Sequence, residues 1–264
     1  MPADRGIRAI LNAGAAVPWS LDIDEVGQSG SRNMAIDAAL LRAAQQGGAY
    51  LRLYRWDPPC LSFGRNEPAL TRYDQARITT LGLDTVRRPT GGRAVWHEAE
   101  VTYAVAAPID LFGPMRNTYV AIHEVIAAGL RTLGVAAALA PRATHATRLA
   151  AGACFASPAG GEIVVDGRKL VGSAQVRVGS AFLQHGSVLL EDRQDTVARV
   201  TRGPAPTTLA TSLRAVLGRP VPWTDAATAI ARAARDAWGG HWEHATMTVA
   251  PDNHFANACW TWRR

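Results

Sequence analysis

The chain has 264 residues, 48% hydrophobic and 19% charged, with 28 Lys plus Arg against 22 Asp plus Glu and a net charge of +6. That composition excludes a disordered chain and supplies enough apolar surface for the core of one large domain. No run of about 18 apolar residues exists, so no membrane span is expected; Cys60, Cys154 and Cys259 are widely spaced with no C-x-x-C, which excludes a disulfide framework and a thiolate zinc site and suits a reducing cytoplasm.

Residues 9–17 read as an ordinary N-terminal segment rather than a signal peptide. Residues 31–46 (SRNMAIDAALLRAAQQ) predict a helix, capped by Ser31, with Met34, Ala38 and Leu41 on one face and Gly47-Gly48 as its stop. Residues 49–56 alternate as a strand, and Asp57-Pro58-Pro59 turns the chain into a second strand, CLSF. A short helix is expected over 71–81. Over 84–108, Val, Thr and aromatic residues flank Thr-Gly-Gly, which predicts strands paired across that turn. Residues 117–133 form an amphipathic helix ended by Gly134, and 141–161 form a looser Ala-rich stretch holding Cys154. Residues 162–190 predict three strands joined by tight turns at Asp166-Gly167 and Gly179-Ser180. A Pro-punctuated linker, 203–208, leads to a last helix at 224–238. Strands do not alternate regularly with helices, so the expected class is α+β: a mixed, largely antiparallel sheet with flanking helices.

Four groups of residues could carry chemistry. Gly91-Gly92 follow Arg87-Arg88 and precede Arg93, Ala94 and His97. Such a loop can offer N–H groups and guanidinium to a carbonyl or phosphate, and a plain hairpin turn with solvated Arg has the same composition. Lys169 is the only Lys in the chain. Arg is a fixed planar cation; Lys is a slim point charge with a movable pKa. An Arg-biased composition would also leave few Lys. Small residues follow it at Gly172, Ser173 and Ala174, and His185-Gly186 lies on the next strand. Together they resemble a pocket lining, although a lone histidine is commonly a satisfied core group. Cys154 ranks first as a reactive thiol, a cation nearby favouring its thiolate. Cys60 and Cys259, among apolar neighbours, read as structural. The basic charge suits an acidic macromolecule, nucleic acid or an acidic carrier protein. No helix-turn-helix, zinc finger or basic aromatic stripe supports the former.

Several of these segments resemble one family. RRPTGGRAVWH (87–97), GRKLVGSAQ (167–175) and LQHGS (183–187) are similar to signatures of the lipoate/octanoate transferase and ligase superfamily, as are LSFGRNEP (61–68), SRNMAIDAALL (31–41) and TSLRAVLG (211–218). With CFASP (154–158), they most resemble its octanoyltransferases of LipM type. The resemblance implies a single biotin/lipoyl protein ligase-like catalytic domain over 1–264, with its motif-bearing core at 31–218 and no full accessory domain. It implies a Cys154 nucleophile with a thiol pKa lowered by Lys169, and a substrate site of Arg88, Gly91, Gly92, Arg93, Ala94, His97, Gly172, Ser173, Ala174, His185 and Gly186. No metal and no cofactor are expected. The implied donor is octanoyl-acyl carrier protein, and the acceptor is a lysine of a lipoyl-domain protein such as glycine-cleavage H protein; neither nucleic acid nor membrane is a partner. Ala104 departs from the family's usual Ser. ATP-dependent lipoate or octanoate ligase, lipoyl-domain amidotransferase, non-catalytic acyl binder and, weakest, biotin ligase remain alternatives.

Overall fold

A computed structural model describes residues 17–141, 155, 160–203, 209–249 and 252–263. Cys154, residues 9–16, most of 141–161 and the linker at 204–208 lie outside the described residues.

The chain opens with β1 (Trp19–Gln28), α1 (Gly30–Ala44), β2 (Ala49–Trp56) and β3 (Cys60–Phe63). Two short helices, α2 (Ala69–Arg72) and α3 (Gln75–Thr80), precede β4 (Asp84–Arg87), β5 (Val95–His97) and β6 (Glu100–Pro108). Then come α4 (Met115–Thr132), β7 (Ala138–Leu139), β8 (Ile163–Val165), β9 (Arg168–Lys169), β10 (Val171–Val178) and β11 (Ala181–Leu189). The C-terminal part holds α5 (Asp195–Val200), α6 (Leu213–Leu217), α7 (Trp223–Trp238), β12 (Trp242–His244), α8 (Asn253–Ala256) and α9 (Ala258–Thr261).

The main sheet has the order β10-β11-β6-β2-β1-β12. Its first three pairings are antiparallel and the last two parallel, so the expected α+β class with a mostly antiparallel sheet holds. Alternate residues of its strands face opposite layers. One face packs Leu51, Leu53, Tyr103, Val105 and Phe182 under α4 and α7, and the other packs Tyr54, Trp56, Ala104 and Leu183 under α1. Among the described residues, no helix is long and apolar enough to cross a membrane.

Several local expectations change. Ser29, not Ser31, caps α1: its hydroxyl accepts from the Arg32 amide at 3.4 Å. The helix expected over 71–81 is split, because Tyr73 is extended and pairs with Thr201. The strands around Thr-Gly-Gly are not a hairpin. β4 joins β3 in parallel and β5 joins it antiparallel from the other side, so 88–94 folds over the end of β3. The Arg65 amide donates to the Thr90 carbonyl at 2.7 Å and the Arg88 amide to that of Phe63 at 2.8 Å. The region 162–190 makes four strands, with Leu170 separating β9 from β10. Both Asp166 (φ 49°) and Gly167 (φ 73°) are left-handed, the conformation that a two-residue hairpin turn of this composition favours. The helix expected last is followed by α8 and α9, and Cys259, in α9, is exposed, whereas Cys60 is buried.

Arg87 explains why that C-terminal piece matters to the loop. Its buried guanidinium donates to carbonyls of Gly64 (2.7 Å), Glu67 (2.8 Å), Trp260 (2.9 Å) and Thr261 (3.1 Å). It fastens α9 behind β4, and so is not available to a ligand.

Candidate active site

The cleft is built across the α1 face of the main sheet. Register places Gly172 opposite Ser187, Ser187 opposite Thr102, and Thr102 opposite Tyr54, one row over four strands. The next row runs Ala174, His185, Ala104, Arg52. Because every second residue faces the same side, Gly172, Ser187, Thr102 and Tyr54 form the floor together with Ala174 and His185 of the second row, whose Ala104 and Arg52 are fully buried and do not line the cleft. The cleft holds about 330 Å³ of empty space, its mouth included, and Met34, Trp56, Arg88, Val95 and His97 complete its walls.

Of the expected site residues, Arg88, His97, Gly172, Ser173, Ala174, His185 and Gly186 line this cleft. Gly91, Gly92, Arg93 and Ala94 do not line it; they shape the loop beside it. The Arg88 guanidinium donates to carbonyls of Ser62 (2.9 Å), Gly91 (3.2 Å) and Arg93 (2.8 Å). Gly92 has φ +88°, and a Cβ on Gly64 would lie 2.0 Å from the Gly92 carbonyl oxygen, so both positions need glycine. Ala104, where the family's hydroxyl is missing, is fully buried under α1 and is not a lining residue.

The two histidines are wired to opposite sides. His97 Nδ1 lies 2.7 Å from Glu100 Oε1, and Ser62 Oγ lies 2.5 Å from Nε2. Arg88 donates to the same Ser62 oxygen, at 2.5 Å, which turns the Ser62 hydroxyl proton toward Nε2. Burial holds the imidazolium of His97 below its ordinary pKa, against the pull of Glu100. Trp56 stacks on this ring at 4.0 Å. His185 Nδ1 meets Asp37 Oδ2 at 2.8 Å, and its Nε2 meets Thr90 Oγ1 at 2.6 Å. Asp37 also accepts from the Tyr54 hydroxyl at 2.9 Å and lies 3.6 Å from Arg52. Neither ring has a nitrogen left for a base role in this arrangement.

The edge strand β10 is held from the other layer. Ser173 Oγ is 2.8 Å from His123 Nε2 and 2.7 Å from the Tyr103 hydroxyl. His123 Nδ1 is 2.6 Å from the Gly161 carbonyl, which can only accept, so Nδ1 carries the proton and Nε2 accepts from Ser173. Burial pushes the His123 pKa down to about 4. A buried neutral histidine stabilises the fold above its unfolded pKa near 6.5, and that stability is lost as pH falls through about 4. Denaturant unfolding should therefore lose about 3 kcal/mol between these pH values, and His123→Gln should remove that component of the slope.

Lys169 lies at one end of the cleft, 2% exposed. Its Nζ is 2.7 Å from Glu162 Oε1 and 5.2 Å from the ring centre of Phe155. Phe155 is fully buried with Val95, Leu189 and Ala210. A Cβ on Gly172 would meet its ring at 2.8 Å and Lys169 Cε at 3.3 Å. Residues 209–211 bind β9 and Phe155 together: the Lys169 amide donates to Leu209, Leu209 to Phe155, and Thr211 to Lys169, at 2.8, 3.1 and 2.9 Å. The ammonium thus sits at the joint of β9, the cleft wall and the residue that follows Cys154.

The sequence assigned no site role to Glu162, His123, Tyr103, Phe155, Glu100, Asp37 or Met34, the last being read only as part of an apolar helix face. Glu162 was within reach: in a hairpin turning at Asp166-Gly167, Val164 opposes Lys169, so Glu162 is its diagonal neighbour on the same face. Glu100 lies three residues after His97 and Phe155 next to Cys154, whereas His123, Tyr103, Asp37 and Met34 are brought in from distant elements and carry no local signal.

A mostly antiparallel sheet with helical layers on both faces is a fold shared with solved lipoate-protein ligases. A lipoate-protein ligase A bound with ATP superposes with a TM-score of 0.77 at 19% identity, covering 93% of this chain and 99% of the other. A bi-partite lipoate protein ligase from Thermoplasma acidophilum, studied with its E2 lipoyl domain, gives 0.74 at 18%, covering 93% and 96%. In sequence, residues 29–235 match the lipoyl protein ligase A/B catalytic domain. Octanoyltransferase LipM of Kyrpidia tusciae is 39% identical over 240 residues, 84% of this chain and 88% of that one. The protein of that name from Carboxydothermus hydrogenoformans is 40% identical over 185 residues, 68% of each. The chain belongs to the lipoyl protein ligase A/B catalytic-domain family.

Proposed function

We propose that this protein is an octanoyltransferase of protein lipoylation, acting from octanoyl-acyl carrier protein through Cys154 onto a lysine of a lipoyl domain. The observation that carries the proposal is the seat of Lys169 against Phe155 and Gly172, at the end of the cleft. Phe155 is joined to Cys154 by one peptide bond. A primary ammonium at that joint favours a thiolate over a thiol and can hydrogen-bond a thioester carbonyl.

The cleft suits an apolar chain for a specific reason. Its polar side chains are already engaged from behind: Ser187 and Thr102 by Glu100, Ser173 by Tyr103 and His123, and both histidines at both nitrogens. An acyl chain entering it strips no unsatisfied polar group of water.

In the first step the Cys154 thiolate attacks the octanoyl carbonyl, the C–S bond to the carrier breaks, and the carrier leaves as a thiolate that takes a proton. In the second, the neutral ε-amine of the acceptor attacks the S-octanoyl enzyme. The C–S bond to Cys154 breaks, an amide forms, and the amine's surplus proton is released. Thioester exchange is near even and amide formation is downhill, so the scheme needs no nucleotide, metal or other cofactor. The +6 charge suits acidic protein partners, and a working thiolate suits the cytoplasm. Residues 31–218, within a single domain, hold the named groups.

Intact-mass spectrometry after incubation with octanoyl carrier protein, without nucleotide, should show one octanoyl adduct on the wild type and none on Cys154→Ser. An adduct that survives in Cys154→Ser moves the nucleophile elsewhere. Acylation of a lipoyl domain that instead requires ATP and free octanoate identifies a ligase, the activity named for a structural neighbour.

A further inference from the structure

We infer that Met34 is the stop that sets acyl-chain length, an inference that rests on the acyl-transfer function proposed above. The cleft crosses the sheet from its edge inward. Its floor starts at Gly172 and Ala174 on β10, passes Ser187 and His185 on β11 and Thr102 on β6, and ends at Tyr54 on β2. Burial follows the same direction: Ala174 is partly exposed, His185 is 4% exposed, Ser187 and Thr102 are 2% exposed, and Tyr54 and Met34 are 0% exposed. The mouth is therefore at β10 and the closed end at β2, under α1.

Three strand spacings separate β10 from β2, about 14 Å between strand axes. An extended chain gains about 3.5 Å per three bonds, so seven carbon–carbon bonds reach about 8 Å. With the thioester carbonyl at the mouth and contact distances at both ends, an eight-carbon chain occupies this span. Of the groups at the closed end, two are fixed. Tyr54 is hydrogen-bonded to Asp37, and the Trp56 indole donates to Thr102 at 2.7 Å. Met34 is the unbranched apolar side chain among the lining residues, standing on α1, lining the cleft with Tyr54 and Trp56 and belonging to the same buried cluster. Its size can change without breaking the hydrogen bonds of the cleft, and a thioether fills irregular space in a core.

The test is a competition. Carrier protein loaded with hexanoyl, octanoyl, decanoyl or dodecanoyl groups in equal amounts is supplied to the full-length enzyme with a lipoyl domain, and product masses are counted. Met34→Ala should raise dodecanoyl relative to octanoyl product at least about 10-fold, and Met34→Phe should lower octanoyl relative to hexanoyl product by a similar factor, since a methylene in an apolar pocket is worth roughly 10- to 200-fold. Product ratios are independent of how much of each variant folds. The inference is overturned if both variants transfer acyl groups with wild-type ratios. A wild type that transfers none of the four, while the lipoyl domain accepts octanoate from a known transferase, overturns the proposed function itself and this inference with it.

Discussion

Lys169→Arg should fold and yet transfer octanoate at least about 100-fold more slowly, the usual scale for removing a placed electrostatic donor from a reacting centre. The substitution keeps a positive charge. What it changes is shape: a planar guanidinium must fit between Glu162 at 2.7 Å and the Phe155 ring, where Gly172 already allows only close contact. Lys169→Met separates chemistry from stability. Deleting the ammonium leaves the 3%-exposed Glu162 buried without that counter-charge, at a cost of about 3–5 kcal/mol. Adding Glu162→Gln removes the excess charge, so the double variant should regain most of the lost stability and none of the activity. Thermal unfolding and single-turnover transfer, measured on all three, check this. Near-normal turnover by Lys169→Arg would remove Lys169 from the chemistry.

Arg52→Met should be the most destabilising single change away from the cleft wall. Arg52 is fully buried, with Asp22, Asp24 and Asp37 at 3.4, 3.2 and 3.6 Å and the Asn33 side-chain oxygen at 2.9 Å. Its guanidinium also covers the Tyr54 ring at 4.0 Å. Removing it leaves carboxylates under α1 without their cation, and a loss of about 3–5 kcal/mol is expected. The pH dependence distinguishes this cause from lost packing. Burial already raises the Asp22 pKa, with Arg52 pulling it down. Without Arg52, the folded-state pKa of Asp22 rises further above its unfolded value. A group raised in the fold costs stability at high pH, and that cost fades as pH falls and the group protonates. The gap between wild type and Arg52→Met in urea unfolding should therefore narrow from pH 8 to pH 5. Because Asp37 also holds His185 Nδ1, the variant should lose order in the cleft as well, seen as a raised KM.

The elements with strong local signals were legible. Alternation in AYLRLYRW, the amphipathic run in α4 and the Asp166-Gly167 turn depend on neighbours in sequence, and each occurs where it was expected. The Thr-Gly-Gly segment was misread because two strands flanking a glycine turn resemble a hairpin whether they pair with each other or, as here, with a third strand between them. The contrast between Arg87 and Arg88 was not legible for a similar reason. Adjacent arginines look alike in sequence, but one points to the backbone of α9 and the other toward the cleft.

Family, fold class and most of the cleft's lining can be read along the chain, because they are written in contiguous motifs whose glycines and small residues obey local geometry. Which polar groups are already engaged, and where the cleft ends, follow from the folded arrangement. Glu162 with Lys169, His123 with Ser173, Asp37 with His185 and Met34 at the inner wall are relations set by strand register and helix packing. Such relations depend on side-chain distance through space, which the order of residues along the chain does not encode locally.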